Sequence, residues 1–210
     1  MADNMRVNNP VVLMVDDEKE VADAYALRLE GVAEVTVEYS GGAALATLEE
    51  GLTPDVVLLD RHMPGKSGDE ILADIREMDL RTQIIMVTAI DPNLGILDLL
   101  KCKEKASRFS AGRRSTFDDY LSKPVEREDL RTAVDQQCQV LAYELLGEYF
   151  RLESKRAVIE AEVPDEQLQD HEEFAGIEER TAATADRVRA LLPEADDLLT
   201  SFSDIDREGY

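Results

Sequence analysis

The first apolar run of the chain, Val11-Val12-Leu13-Met14-Val15, is followed at once by two adjacent carboxylates, Asp16 and Asp17. Five apolar residues without a polar break are too few for a buried helix, and they read as a strand covered on both faces, as in a parallel sheet. Two more runs share this character, Val56-Val57-Leu58-Leu59 and Ile84-Ile85-Met86-Val87. Weaker strand signals lie at Glu34-Val35-Thr36-Val37-Glu38 and Asp119-Tyr120-Leu121. Between them, residues 20–30 (Val21, Tyr25, Leu29), 42–50 and 68–78 (Ile71, Ile75, Met78) have helical length and end at turn signals such as Gly31 and Gly51. Five strands joined by crossover helices predict an α/β fold with a doubly wound, five-stranded parallel sheet. Right-handed connections then gather the loops after strands one, three and four at one edge.

The strand signals stop after Pro124. From residue 127 to about 163 a helical pattern repeats Cys138, Leu145, Leu152 and Ile159 every seven residues, with Val134, Leu141 and Tyr149 beside them. Pro164 interrupts it. A second helix from about Asp165 carries Phe174, Ile177, Thr181, Thr184, Val188 and Leu191, and Pro193 closes it. The expected organisation is an N-terminal tail over 1–8, the α/β domain over 9–137, an α-helical hairpin over 138–200 and a polar tail over 201–210 that frays. The hairpin buries its own seam; the alternative is a dimerising coiled coil. Thr88 and Lys123 lie 35 positions apart, whereas a loop, a helix and a return loop need roughly 20. The excess predicts an insertion at about 95–116. Its basic residues, among them Lys101, Lys103, Lys105, Arg108, Arg113 and Arg114, read either as a solvated loop or as a latch against the acidic hairpin.

Composition limits the functions open to the chain. Its 210 residues are 44% hydrophobic and 33% charged, which excludes both a wholly disordered polymer and a protein built from apolar membrane spans. Lys and Arg total 23 against 46 Asp and Glu, a net charge of −23. Such a surface repels phosphate backbones and anionic lipids, which argues against direct DNA binding and against a membrane partner. No apolar leader follows the N-terminus, and Cys102 and Cys138 are too few for a secreted disulfide framework, so a cytoplasmic location is expected. Arg outnumbers Lys 16 to 7. At about 1 M salt the Debye length falls to roughly 3 Å, and a salt-rich cytosol would tolerate this acidity. An ordinary acidic protein shows the same bias.

A parallel sheet brings the carboxylates of Asp16, Asp17 and Asp60 out at one edge, because the first two follow strand one and the third ends strand three. Three clustered carboxylates raise one another's pKa unless a cation intervenes, and Mg²⁺ suits an all-oxygen donor set. The Asp-Asp pair alone is weak evidence, more often a helix cap or a solvated turn. Its weight comes from Thr88, which ends strand four, and Lys123, which follows strand five. A hydroxyl and an ammonium beside a metal can hold the equatorial oxygens of a phosphoryl group, and Asp60 can be the nucleophile. Pro124 biases Lys123 to an extended backbone, away from the helix that follows. The rings of His62 and His171 receive no role.

Val15-Asp16-Asp17-Glu18, Leu59-Asp60-Arg61-His62-Met63-Pro64-Gly65, Val87-Thr88-Ala89 and Tyr120-Leu121-Ser122-Lys123-Pro124 together resemble the receiver domain of two-component response regulators, a flavodoxin-like fold. The resemblance covers about 115 residues. It implies a phosphoacceptor signalling protein that catalyses its own phosphoryl transfer and slow autodephosphorylation. Asp60 would take the phosphoryl group from a sensor histidine kinase, with Asp16, Asp17, Asp60 and the His62 backbone carbonyl around Mg²⁺. Thr88 and Lys123 would hold the phosphoryl oxygens, and Tyr120 would be the rotating aromatic that reports phosphorylation. The signal would pass through the face between the helix after strand four and the helix after strand five, where the long connection departs from the family pattern. Residues 145–161, with Tyr149-Phe150-Arg151-Leu152 and Ser154-Lys155-Arg156-Ala157, resemble the HalX-type helical domain found after receivers in haloarchaeal regulators. The tail has no basic recognition helix, glycine-rich phosphate loop or metal-ligand spacing. Its output would run through a downstream protein partner or a homodimer. The competing reading is a receiver-like interaction or dimerisation module that does not switch.

Overall fold

Apolar continuity along the sequence becomes position in the sheet. The computed structural model describes residues 9–78, 80–89, 117–168 and 171–205. β1 (Val11–Val15), β3 (Val56–Asp60) and β4 (Gln83–Thr88) are buried along almost their whole length. They form the centre of a sheet ordered β2-β1-β3-β4-β5, with the more exposed β2 (Glu34–Glu38) and β5 (Asp119–Ser122) at its edges. All four pairings are parallel, as expected. The winding reverses between β1 and β3, so the crevice of the fold opens at the ends of those two strands. Leu13, Val15, Val57, Leu59, Ile84 and Met86 fill one face of the sheet with Ala44, Leu48, Ile71 and Ile75. These four come from α2 (Gly41–Glu49) and α3 (Gly68–Glu77). α1 (Lys19–Leu29) supplies Ala22, Tyr25 and Leu29 to the core.

Carboxylates set the strand registers at the opposite edge, the buried Asp55 and the half-buried Asp118. The Val11 N–H donates to Asp55 Oδ2 at 2.8 Å, and the Ile84 N–H donates to Asp118 Oδ2 at 2.7 Å. The Arg76 guanidinium lies 2.6 Å from the same Asp118 oxygen, tying α3 to the start of β5. From α4 (Arg127–Glu162), Arg131 donates to the carbonyls of Arg28 and Glu30 at 2.7 and 2.9 Å, satisfying groups left over at the end of α1.

α3 starts where its sequence dictates. Ser67 and Glu70 form a capping box in which the Ser67 N–H donates to Glu70 Oε2 at 2.9 Å and the Glu70 N–H donates to Ser67 Oγ at 3.4 Å. The hydrogen bonds from the Ser67 backbone and hydroxyl hold the Glu70 carboxyl below its usual range. A lowered folded pKa gives stability that is present above about pH 5 and is lost as acid protonates the cap. Glu70→Ala should abolish this acid dependence and speed hydrogen exchange at the first turn of α3. An unchanged acid limb would contradict it.

The chain divides into two compact units, one over Pro10–Cys138 and the other built on residues from Gln139 onward. α4 begins in the first unit and continues into the second. In the second unit, Leu145 and Leu152 are buried and Ile159 is half-buried, and the seam is completed by Phe174, Ile177, Thr181 and Val188. This agrees with a seam that the chain buries itself. Arg180 pairs with the buried Glu148 at 3.0 Å.

Two expectations about this unit need correction. The single second helix from about Asp165 is two elements, a one-turn α5 (Asp165–Leu168) and α6 (Glu172–Leu191), which starts at an extended His171 with Glu172 and Glu173 in its first turn. Of the tail expected to fray over 201–210, residues 201–205 are helical instead. α7 (Ala195–Ile205) follows Pro193, so the unit is more than a hairpin. Asp196 and Asp197 favour the N-terminus of α7, and Ala195 and Leu199, one turn apart, are both buried. The tail 1–8, the insertion at 95–116 with its basic cluster, Cys102 and residues 206–210 lie outside the described residues. Among the described residues, no helix is long and apolar enough to cross a membrane.

Candidate functional site

β1 and β3 deliver their terminal residues to one place. Asp16, Asp17 and Asp60 each offer a carboxylate oxygen within 4.8 Å of the others. Asp16 is fully buried, Asp60 is 3% exposed and Asp17 is half-buried. The Lys123 ammonium enters from the end of β5 and lies 2.7 Å from Asp16 Oδ2 and 3.0 Å from Asp60 Oδ1. Thr88, buried at the end of β4, is one residue past Val87, the register partner of Asp60. Its carbonyl accepts the Lys123 N–H at 2.8 Å, which fixes the backbone of the lysine beside the pocket. The Lys123-Pro124 peptide bond is cis.

The electrostatics follow from burial and pairing. Desolvation raises the Asp60 pKa, and Asp16 adds to the rise, while Lys123 and a hydrogen bond from the His62 backbone oppose it. Burial alone would lower the Lys123 pKa, but its bonds to Asp16 and Asp60 outweigh that and leave it raised. The ammonium is therefore a fixed positive charge between two buried carboxylates. Asp16 Oδ1 accepts the Glu18 N–H at 3.0 Å. Asp16 Oδ2 meets the Lys123 ammonium at 2.7 Å and has no further partner among the described residues. A buried carboxylate oxygen with spare acceptor capacity, among hard oxygen donors, fits a divalent cation such as Mg²⁺.

All five residues expected at this edge have their backbone positions there; Asp16, Asp17 and Asp60 are in mutual reach, and Lys123 reaches Asp16 and Asp60. His62 is exposed. The Tyr120 side chain is 36% exposed on edge strand β5. Two residues were missed. Glu18 Oε1 lies 3.6 Å from Lys123 Nζ, a third carboxylate on the ammonium; its place directly after Asp17 was the available signal. Gly68 begins α3 with its N–H donating to Arg61 O at 3.0 Å. A Cβ on Gly68 would stand 2.3 Å from Asp60 O and 2.8 Å from Arg61 Cα. Only glycine allows α3 to rest on the backbone of Asp60, and nothing in the local sequence distinguishes it from an ordinary helix-start glycine.

Gly68→Ala should therefore push α3 off the end of β3 and cost about 1–3 kcal/mol in urea unfolding. Gly42→Ala is the control. A Cβ there meets nothing within 4 Å, and the change should be neutral or stabilise by up to about 1 kcal/mol. Equal stability of the two variants would contradict the packing argument.

Comparison with known proteins agrees with this geometry. Residues 12–135 match the response regulator receiver domain, and residues 139–206 match the HalX domain. A protein of Haloferax volcanii named as a transcriptional regulator is 33% identical over 180 residues, 85% of this chain and 28% of its own length. The sensory transduction protein RegX3 of Mycobacterium tuberculosis is 36% identical over 121 residues, 57% of this chain and 46% of its own length. The chain thus spans less than half of either relative. The structure of a Francisella response regulator receiver domain has 29% identity and a TM-score of 0.50, covering 61% of this chain and 96% of that one. The name of the first relative does not fit the expectation that direct DNA binding is disfavoured. Net charge describes the average surface of this chain. It does not govern a local contact, or control exercised by the longer relative.

Proposed function

The chain belongs to the response regulator receiver family and carries a HalX domain behind its receiver, and on that premise we propose that Asp60 accepts a phosphoryl group from a sensor histidine kinase. The observation that carries the proposal is the buried Asp60 carboxylate at the end of β3, within 4.8 Å of two more carboxylates and 3.0 Å from a lysine ammonium. An Asp60 carboxylate oxygen attacks phosphorus, the bond from phosphorus to the kinase imidazole nitrogen breaks, and an acyl phosphate forms on residue 60.

Asp16, Asp17, Asp60 and the His62 backbone carbonyl would hold Mg²⁺, which when bound supplies positive charge against the equatorial oxygens of the phosphoryl group. The Lys123 ammonium adds a second fixed positive charge, already placed before the donor arrives. The Thr88 hydroxyl binds a phosphoryl oxygen as it moves toward residue 60. Tyr120, on the strand paired with β4, then rotates from its exposed position and alters the face that a partner reads. Slow loss of the phosphoryl group to water resets the switch. The receiver over residues 9–137 is the phosphorylated unit, and the helical unit behind it passes the state to a downstream protein or a second copy. Transcriptional control, as named for the Haloferax relative, is one such output.

The test is intact-mass spectrometry of the full chain incubated with Mg²⁺ and a small phosphodonor. One added phosphoryl group per chain is expected. An unmodified chain would favour the passive interaction module.

A further inference from the structure

α4 carries two stripes, and its own unit covers one of them. Leu141, Ala142, Leu145, Leu146 and Leu152 are buried. On the opposite side, Val140, Tyr143, Gly147, Phe150, Ser154, Ala157 and Ala161 follow one another at alternating gaps of three and four. That is the a/d spacing of a coiled coil, held for about 33 Å of helix. Val140 is 43% and Tyr143 57% exposed. Ser154, Ala157 and Ala161 are exposed, while Gly147 and Phe150 are half-buried. A Cβ added at Gly147 meets nothing within 4 Å, so among the described residues no neighbouring group demands a glycine there.

We propose that this outer stripe is a self-association seam on which α4 of a second copy lies antiparallel. The sequence of side-chain sizes singles out both the occupant and its direction. In an antiparallel register centred between Gly147 and Phe150, Val140 faces Ala157 of the second copy, Tyr143 faces Ser154, and Phe150 faces Gly147. Every layer sets a large side chain against a small one, as interdigitated packing requires. A parallel register would stack Tyr143 on Tyr143 and Phe150 on Phe150, and would leave gaps at Gly147 and Ser154. Charge agrees with volume. Glu144 and Arg151 flank the stripe, and the antiparallel twofold sets each against its opposite in the second copy, giving the pair twice. The seam is separate from the stripe of Cys138, Leu145 and Leu152, which the chain has already buried.

Size-exclusion chromatography with light scattering on the full chain should show the mass rising from 23.5 kDa towards about twice that value as concentration increases. Tyr143→Glu should hold the chain monomeric. Gly147→Leu should do the same by filling the hole that receives Phe150, while its thermal midpoint stays level or rises, because leucine replaces a mid-helix glycine. Direction is read by cross-linking in a Cys102→Ser background with a mild oxidant. Tyr143→Cys and Ser154→Cys should each fail to link alone and should link when mixed. A wild type that is monomeric at every concentration would overturn the seam, as would a Gly147→Leu chain that still dimerises. Efficient linking of Tyr143→Cys to itself would overturn the antiparallel register.

Discussion

Asp60→Asn should take up no phosphoryl group and should nevertheless be more stable than the natural chain at neutral pH. Burial raises the Asp60 pKa, with the nearby Asp16 adding to the rise. A carboxyl whose folded pKa is raised binds its proton more tightly in the folded state. Its contribution to stability therefore falls as pH rises through the folded value, and at neutral pH the ionised group is a net cost. Asparagine keeps the shape and removes the charge. The thermal midpoint without divalent cation should rise by a few degrees, on the order expected when about 1 kcal/mol is recovered in a chain of this size. Differential scanning calorimetry and intact-mass spectrometry on the same sample give both readouts. A variant that loses stability while still taking up phosphorus would remove Asp60 from the centre of the site.

Lys123→Ala should have the opposite effect on stability and a comparable effect on chemistry. The Lys123 side chain is 12% exposed, and its ammonium sits 2.7 Å and 3.0 Å from two buried carboxylates. Removing it strands both charges, and breaking a buried pair in this way typically costs about 3–5 kcal/mol. Mg²⁺ should restore part of the loss, because a ligand that binds only the folded state stabilises it by mass action. Phosphoryl uptake from a small phosphodonor at saturating Mg²⁺ should slow by about 100-fold or more, the usual consequence of deleting one preorganised positive group at a developing anion. Urea unfolding with and without Mg²⁺, beside the rate of mass increase, separates the two effects. A normal rate in a folded variant would show that the lysine serves packing alone.

Much of this site was legible because parallel sheets leave a strong trace in sequence. Strands covered on both faces must be continuously apolar, so β1, β3 and β4 announced themselves, and the residues that end them had to meet at one edge. Order along the chain then placed Asp16, Asp17, Asp60, Thr88 and Lys123 without any knowledge of side-chain packing. What escaped notice depends on contacts that periodicity does not encode. Gly68 matters because of one close approach to the Asp60 carbonyl, and a lone glycine at a helix start carries no sign of its neighbour. Glu18 reaches Lys123 through a side-chain conformation rather than a register.

The helical unit was harder for a related reason. Pro193 closes the second helix as expected, yet proline breaks one helix without forbidding another two residues later. α7 then begins with two acidic residues and buries Ala195 and Leu199. The outer stripe of α4 was hidden by the stronger inner heptad on the same helix, because a period alone does not tell which of two faces is already covered.

Central to the account is that Asp60 takes up phosphorus in a pocket that needs a divalent cation. Peptide-level mass spectrometry of the wild-type chain after exposure to a small phosphodonor, with Mg²⁺ present in one arm and chelated in the other, tests this most directly. The account predicts one phosphoryl group on the peptide that contains Asp60, formed in the Mg²⁺ arm and lost when the cation is chelated. Phosphorus on another residue, or equal uptake in both arms, would contradict it.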